Sequence, residues 1–123
     1  MVYLIEDDKS VRRAFELFLK SAGLDHESFE SAEAFLSYSR PHLNNLLVLD
    51  LNLPGMSGND LLKKFQKDDF HIPVIVVTAF DDPVSRETCR QYGVKAVLRK
   101  PVDGEALIDI IKYYLPQIII NKL

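Results

Sequence analysis

Leu46-Leu47-Val48-Leu49 and Val74-Ile75-Val76-Val77 are apolar without interruption. Alternation of apolar and polar residues marks a strand with one wet face, whereas an unbroken run marks a strand buried on both, as in the centre of a parallel sheet covered by helices. Val2-Tyr3-Leu4-Ile5 is a third β-branched and aromatic run, and it stops at the acidic triplet Glu6-Asp7-Asp8. Weaker strand signals lie at His26 to Ser31, centred on Phe29, and at Ala96-Val97-Leu98-Arg99.

Between these runs the period changes. Val11, Ala14, Phe15, Phe18, Leu19 and Ala22 recur at helical spacing and predict an amphipathic helix. Gly23 suits a left-handed position that would end it. Ser31 can cap a short helix through Tyr38. Asn59 to Lys67 carries Leu61, Leu62 and Phe65 on one face, and Asp82 to Tyr92 has Pro83 in its first turn and Gly93 at its end. Leu107, Ile110, Ile111, Tyr114 and Leu115 form the stripe of a last helix, with Pro116 as its stop. Strand and helix thus alternate five times with short connections. That order predicts right-handed crossovers and a doubly wound α/β domain, a five-stranded parallel sheet with five helices on its two faces. The domain is expected over residues 1–116. Residues 117–123, with Ile118-Ile119-Ile120, are either the start of a linker or an extension that packs on this domain or on a neighbour.

Composition narrows the class. A chain of 123 residues with 47% hydrophobic and 27% charged residues has the make-up of one globular domain. A net charge of −3 argues against nucleic-acid binding by this chain alone. Cys89 is the single cysteine, which excludes an internal disulfide and a multi-cysteine metal cage; a half-buried place in its helix is expected. No apolar stretch approaches the ~20 residues of a membrane span. With a strand-like run starting at residue 2 no signal peptide is expected, and the location is read as cytoplasmic.

The chemistry lies where the strands end. Glu6, Asp7 and Asp8 follow the first strand, Asp50 the third, Thr78 the fourth and Lys100 the fifth. In a parallel sheet these carboxyl ends share one rim, and ligands bind there at the point where strand order reverses. One Asp after a strand is ordinarily a cap or turn residue, but several polar strand ends on one rim make a site. Two carboxylates about 4 Å apart repel by roughly 4 kcal/mol at an effective dielectric of ~20. Either one is protonated or a cation sits among them. Hard oxygen donors favour Mg²⁺, with Mn²⁺ as a substitute. Such a set suits phosphoryl transfer: Asp50 supplies the attacking oxygen, while the metal, Lys100 and the Thr78 hydroxyl each take one oxygen of the moving group.

With these residues in place, the chain resembles a response-regulator receiver domain of two-component signalling over about residues 2–115. Val48-Leu49-Asp50-Leu51-Asn52-Leu53-Pro54-Gly55-Met56-Ser57-Gly58 matches the acceptor segment, and Val77-Thr78-Ala79 and Lys100-Pro101 match two further signatures. Ser31-Ala32-Glu33-Ala34-Phe35-Leu36 is similar to the branch that usually carries a helix-turn-helix output domain. The resemblance implies a flavodoxin-like fold, a histidine kinase as phosphoryl donor, an output domain or partner as target, and a homodimer on phosphorylation. It implies that Asp7 coordinates the metal, Glu6 acts through water and the Asn52 backbone carbonyl joins them, in preference to a register on Asp7 and Asp8. Asp8 is then a helix cap. A cis Lys100–Pro101 bond is expected. Thr78 is the switch residue, but the aromatic partner usual in the family is replaced by Val97, so the signal is expected to pass through Phe80 to Asp82 and the helix that follows. Phe80 is either a surface-loop aromatic or a screen over the acyl phosphate. His26, His42 and His71 lack ligand spacing and are expected on the surface, and Arg12 and Arg13 on a solvated helix face. Tyr92 and Leu98-Arg99 are a candidate dimer surface. Two other functions compete: an aspartate-dependent phosphohydrolase, which Asn52 disfavours at the position where that class carries a second acid, and a degenerate receiver used only for binding.

Overall fold

The computed structural model describes residues 1–38, 45–79 and 82–122. β1 (Val2–Ile5), β2 (His26–Phe29), β3 (Leu46–Asp50), β4 (Val74–Thr78) and β5 (Ala96–Arg99) form one parallel sheet in the order β2-β1-β3-β4-β5. The helices between them are α1 (Lys9–Ser21), α2 (Ala32–Ser37), α3 (Gly58–Lys67), α4 (Pro83–Tyr92) and α5 (Gly104–Lys122). This is the expected flavodoxin-like arrangement.

The unbroken apolar runs are explained by two cores, one on each face. Tyr3, Ile5, Leu47, Leu49, Val74 and Val76 point to the face covered by α2, α3 and α4. Val2, Leu4, Leu46, Val48, Ile75 and Val77 point to the face covered by α1 and α5. Every side chain of β1, β3 and β4 is buried, whereas the edge strand β5 alternates between half-buried and exposed.

Local signals hold at most helix ends. Asp8, Ser31, Ser57 and Asp82 cap α1, α2, α3 and α4 with their side chains. Ser57 and Asp60 complete a reciprocal capping box. Gly23 and Gly93 follow their helices at φ +71° and +82°, a region that costs a side-chain-bearing residue strain. The Lys100–Pro101 bond is cis, as expected.

Three expectations are corrected. α5 does not stop at Pro116 but runs to Lys122. Proline removes one amide donor and crowds the carbonyl four residues back, yet its fixed φ is a helical one, so the ladder resumes beyond it. Within the α1 stripe, Phe15 and Leu19 are buried but Ala14 and Phe18 are exposed, because the helix rests on the sheet along a narrower line than the periodicity marks. Cys89 is buried rather than half-buried, packed in the core beneath α4. No helix among the described residues is long and apolar enough to cross a membrane.

Candidate functional site

Sheet register brings the polar strand ends together. Ile5 pairs with Leu49, so Glu6 and Asp50 lie side by side one residue on, at the carboxyl ends of β1 and β3. The strand order reverses between these two strands, since the chain runs outward from β1 to β2 and then returns past β1 to β3. Asp50 pairs with Val77, which sets Thr78 one residue above it on the neighbouring strand. Lys100 leaves β5 beside them, its amide donating to the Thr78 carbonyl at 2.9 Å.

Side chains then converge. Lys100 Nζ donates to Glu6 Oε1 and, at 3.0 Å, to Asp50 Oδ2. The other oxygens of these carboxylates are also held: Asp8 N–H donates to Glu6 Oε2 at 3.2 Å and Asn52 N–H to Asp50 Oδ1 at 3.0 Å. Asn52 Nδ2 donates to Thr78 Oγ1 at 3.1 Å, so a side chain left unassigned by the sequence ties the acceptor loop to the end of β4. Glu6 has no solvent exposure, and Asp50 and Thr78 have 2% each.

Burial of so much charge has a cost that the site only partly meets. Burial raises Glu6 from an ordinary 4.5 to about 7; the Lys100 hydrogen bond opposes this and the Asp50 charge adds to it. Burial alone would lower the Lys100 pKa, but its bonds to Glu6 and Asp50 outweigh that and hold it raised. One ammonium thus serves two buried carboxylates, with Asp7 exposed at the mouth. Glu6, Asp7 and Asp50 each offer a carboxylate oxygen within 4.8 Å of the others. An all-oxygen set with a surplus of negative charge and an open side fits a hard divalent cation such as Mg²⁺. Both Glu6 oxygens already accept protein donors, and so do both Asp50 oxygens, which leaves Asp7 as the pocket carboxylate without such bonds among the described residues.

The acidic triplet divides its work. Asp8 accepts from the amides of Ser10 and Val11 at 2.9 and 3.1 Å and caps α1, while Glu6 and Asp7 stay with the pocket. Two supporting residues were missed by sequence reasoning. Arg12, expected on a solvated face, turns back so that its Nη1 donates to the carbonyls of Glu6 and Asp7. Glu33 on α2 accepts from the Met56 amide at 3.1 Å and occupies the space where a Gly55 Cβ would lie, fixing the turn after Asn52. Helical periodicity shows which way a residue faces but not that a long side chain doubles back, so neither contact had a sequence signal beyond proximity. Val97 lies on β5 with 48% exposure. His26 is half-buried, its Nδ1 against the Leu24 carbonyl, and His71 is exposed; Phe80 and His42 lie outside the described residues.

Residues 2–112 match the family model of the response regulator receiver domain. Nodulation protein W of Bradyrhizobium diazoefficiens is 33% identical over 111 residues, which are 90% of this chain and 49% of that protein. The polar-differentiation response regulator DivK of Brucella anthropi is 33% identical over 116 residues, 93% of this chain and 94% of that one. The chain therefore spans about half the length of the first relative and nearly all of the second. The solved structure of the response regulator StyR superposes with a TM-score of 0.86 at 34% identity, covering 98% of this chain and 61% of that one. Sequence, fold and relatives agree: the chain belongs to the response regulator receiver family of two-component signalling proteins.

Proposed function

We propose that this domain accepts a phosphoryl group from a histidine kinase onto Asp50 and changes its surface to control an output domain or partner. The observation that carries this reading is the Lys100 ammonium held between Glu6 and Asp50 beside Asp7 and Thr78, an arrangement with too few positive charges until a metal joins it. Asp7, Asp50, the Asn52 carbonyl and, through water, Glu6 would hold Mg²⁺ or Mn²⁺. When bound, the metal neutralises the pocket and draws charge from a phosphoryl oxygen. An Asp50 oxygen attacks phosphorus as the bond to the donor imidazole breaks, leaving an acyl phosphate. Lys100 then shifts from the Asp50 oxygen to a phosphoryl oxygen while keeping Glu6, and Thr78, anchored by Asn52, donates to another. The domain catalyses only its own phosphorylation and dephosphorylation.

Signal transmission follows from the same groups. Val97 has no aromatic edge and faces outward, so the motion of Thr78 is proposed to reach the start of α4. There Asp82 accepts from the Ser85 amide and hydroxyl at 2.9 and 2.8 Å, and Asn59 of α3 donates to that hydroxyl at 3.0 Å. Hydrogen exchange with and without a phosphoryl mimic should change protection over residues 80–92, and an unchanged segment rejects this route. The domain is proposed to span residues 1–116, with α5 continuing past it and 117–123 as either the start of a linker or an extension that packs on this domain or a neighbour, and the protein to lie in the cytoplasm.

Incubation with a small phosphodonor and Mg²⁺, followed by intact-mass and peptide analysis, tests the function. One acid-stable, base-labile adduct on Asp50 that decays over seconds to hours supports a switch. Rapid turnover of an external phosphate ester would make the domain a phosphohydrolase, and no adduct at all would make it a binding module.

A further inference from the structure

Arg12 receives all three consecutive carbonyls of the acidic loop. Its Nη1 donates to Glu6 O at 2.9 Å and to Asp7 O at 3.3 Å, and its backbone amide donates to Asp8 O at 2.8 Å. We propose that Arg12 is a positioning residue for the metal, acting through the backbone that aims the Asp7 carboxylate. This rests on the phospho-acceptor reading above.

The argument is geometric. The direction in which the Asp7 side chain leaves the backbone is set by the two peptide planes on either side of its Cα, those of the 6–7 and 7–8 peptides. Both carry a carbonyl bound by the Arg12 guanidinium. The opposite side of the loop is held by the acids themselves, since Asp8 N–H donates to Glu6 Oε2 and the Asp8 carboxylate caps α1. With the planes fixed, Asp7 presents an oxygen within 4.8 Å of oxygens on Glu6 and Asp50 although its own side chain is exposed. An exposed carboxylate on an unheld loop would sample many directions and lose entropy on binding a metal. Arginine suits this task because the two N–H bonds of Nη1 are fixed in the guanidinium plane, whereas the donors of a lysine rotate on a flexible stem.

Charge and position act in opposite directions here. A guanidinium near the pocket repels a dication, so its charge alone weakens metal binding. Its hold on the loop strengthens binding. Replacement of Arg12 therefore has a different sign under the two accounts.

Calorimetric titration of MgCl₂ into wild type, Arg12→Met and Arg12→Lys separates them. Arg12→Met is expected to bind Mg²⁺ about tenfold more weakly, as is usual when a group supporting a ligand is lost, with Arg12→Lys between it and wild type. Phosphorylation by a small phosphodonor should need a correspondingly higher Mg²⁺ concentration for half-maximal rate and reach the wild-type plateau, a split that a general folding defect would not give. Wild-type or tighter Mg²⁺ affinity in Arg12→Met overturns the inference, as does a lowered plateau at unchanged half-saturation. Should Arg12→Met not fold, wild-type affinity in Arg12→Lys overturns it equally. A wild-type protein that binds no Mg²⁺ and forms no Asp50 adduct overturns the functional reading and this inference together; wild-type binding with unaffected variants overturns only the role of Arg12.

Discussion

The two rims of the sheet bury polar groups in opposite styles. At the amino-terminal rim, the Tyr92 hydroxyl accepts from the Ile72 amide at 2.9 Å and donates to the Phe70 carbonyl at 3.0 Å. Nearby, Asn45 Nδ2 donates to the Tyr3 hydroxyl at 2.8 Å. These side chains are uncharged and mutually satisfied. At the carboxyl rim, two buried carboxylates share one ammonium beside the exposed Asp7, and Glu6 is pushed up to about 7. A neutral, fully bonded cluster locks a fold, whereas a charged cluster short of counterions is completed by what it binds. The same sheet thus carries a lock at one end and a receptor at the other.

The sharpest way to break this contrast is Asp50→Asn, which should abolish the phosphodonor adduct altogether in an intact-mass assay. An adduct that persists at full stoichiometry would move the acceptor elsewhere. Lys100→Met should come next. It strips the one cation from two buried carboxylates, so phosphorylation should slow roughly 100-fold and the metal-free domain should lose about 2–3 kcal/mol in urea denaturation. At the opposite rim, Tyr92→Phe should cost about 1–2 kcal/mol of stability by orphaning the Ile72 amide, while phosphorylation proceeds at the wild-type rate. If Tyr92→Phe slowed phosphorylation as much as Lys100→Met, the two rims would not be separate in function.

The smallest effect is in pH. Because the Glu6 pKa is raised on folding from 4.5 to about 7, the folded state holds this proton more tightly than the unfolded one. The associated stability is complete below about 4.5 and is lost as pH rises through about 7. Melting of metal-free wild type against Glu6→Gln should therefore show wild type losing ground over that interval. Saturating Mg²⁺ should bind more tightly across the same range as Glu6 ionises, and so reduce the loss. A stability difference independent of pH would mean that Glu6 does not titrate there.

Much of this was legible before any coordinates. Unbroken apolar runs, helical stripes and cap residues are local features, and the ones at Leu46–Leu49, Val74–Val77, Ser31 and Asp8 appear where the pattern placed them. Strand-end polar residues were legible as well, because in an alternating parallel order every strand must end on the same rim. Pro116 misled, since a proline weakens a helix without forbidding it. Arg12 and Glu33 were not legible, because their contacts depend on where a flexible side chain finds a carbonyl or an amide belonging to another segment.

By itself, the sequence determined the order of elements, the parallel sheet and the identity of the polar groups on its rim, because hydrophobic period and strand polarity are properties of the chain alone. Only the tertiary structure decided that Lys100 is shared between Glu6 and Asp50, that Asn52 reaches Thr78, and that Arg12 turns back onto the acidic loop. Those choices rest on distances of a few ångströms between residues up to 94 positions apart, set by sheet register and packing.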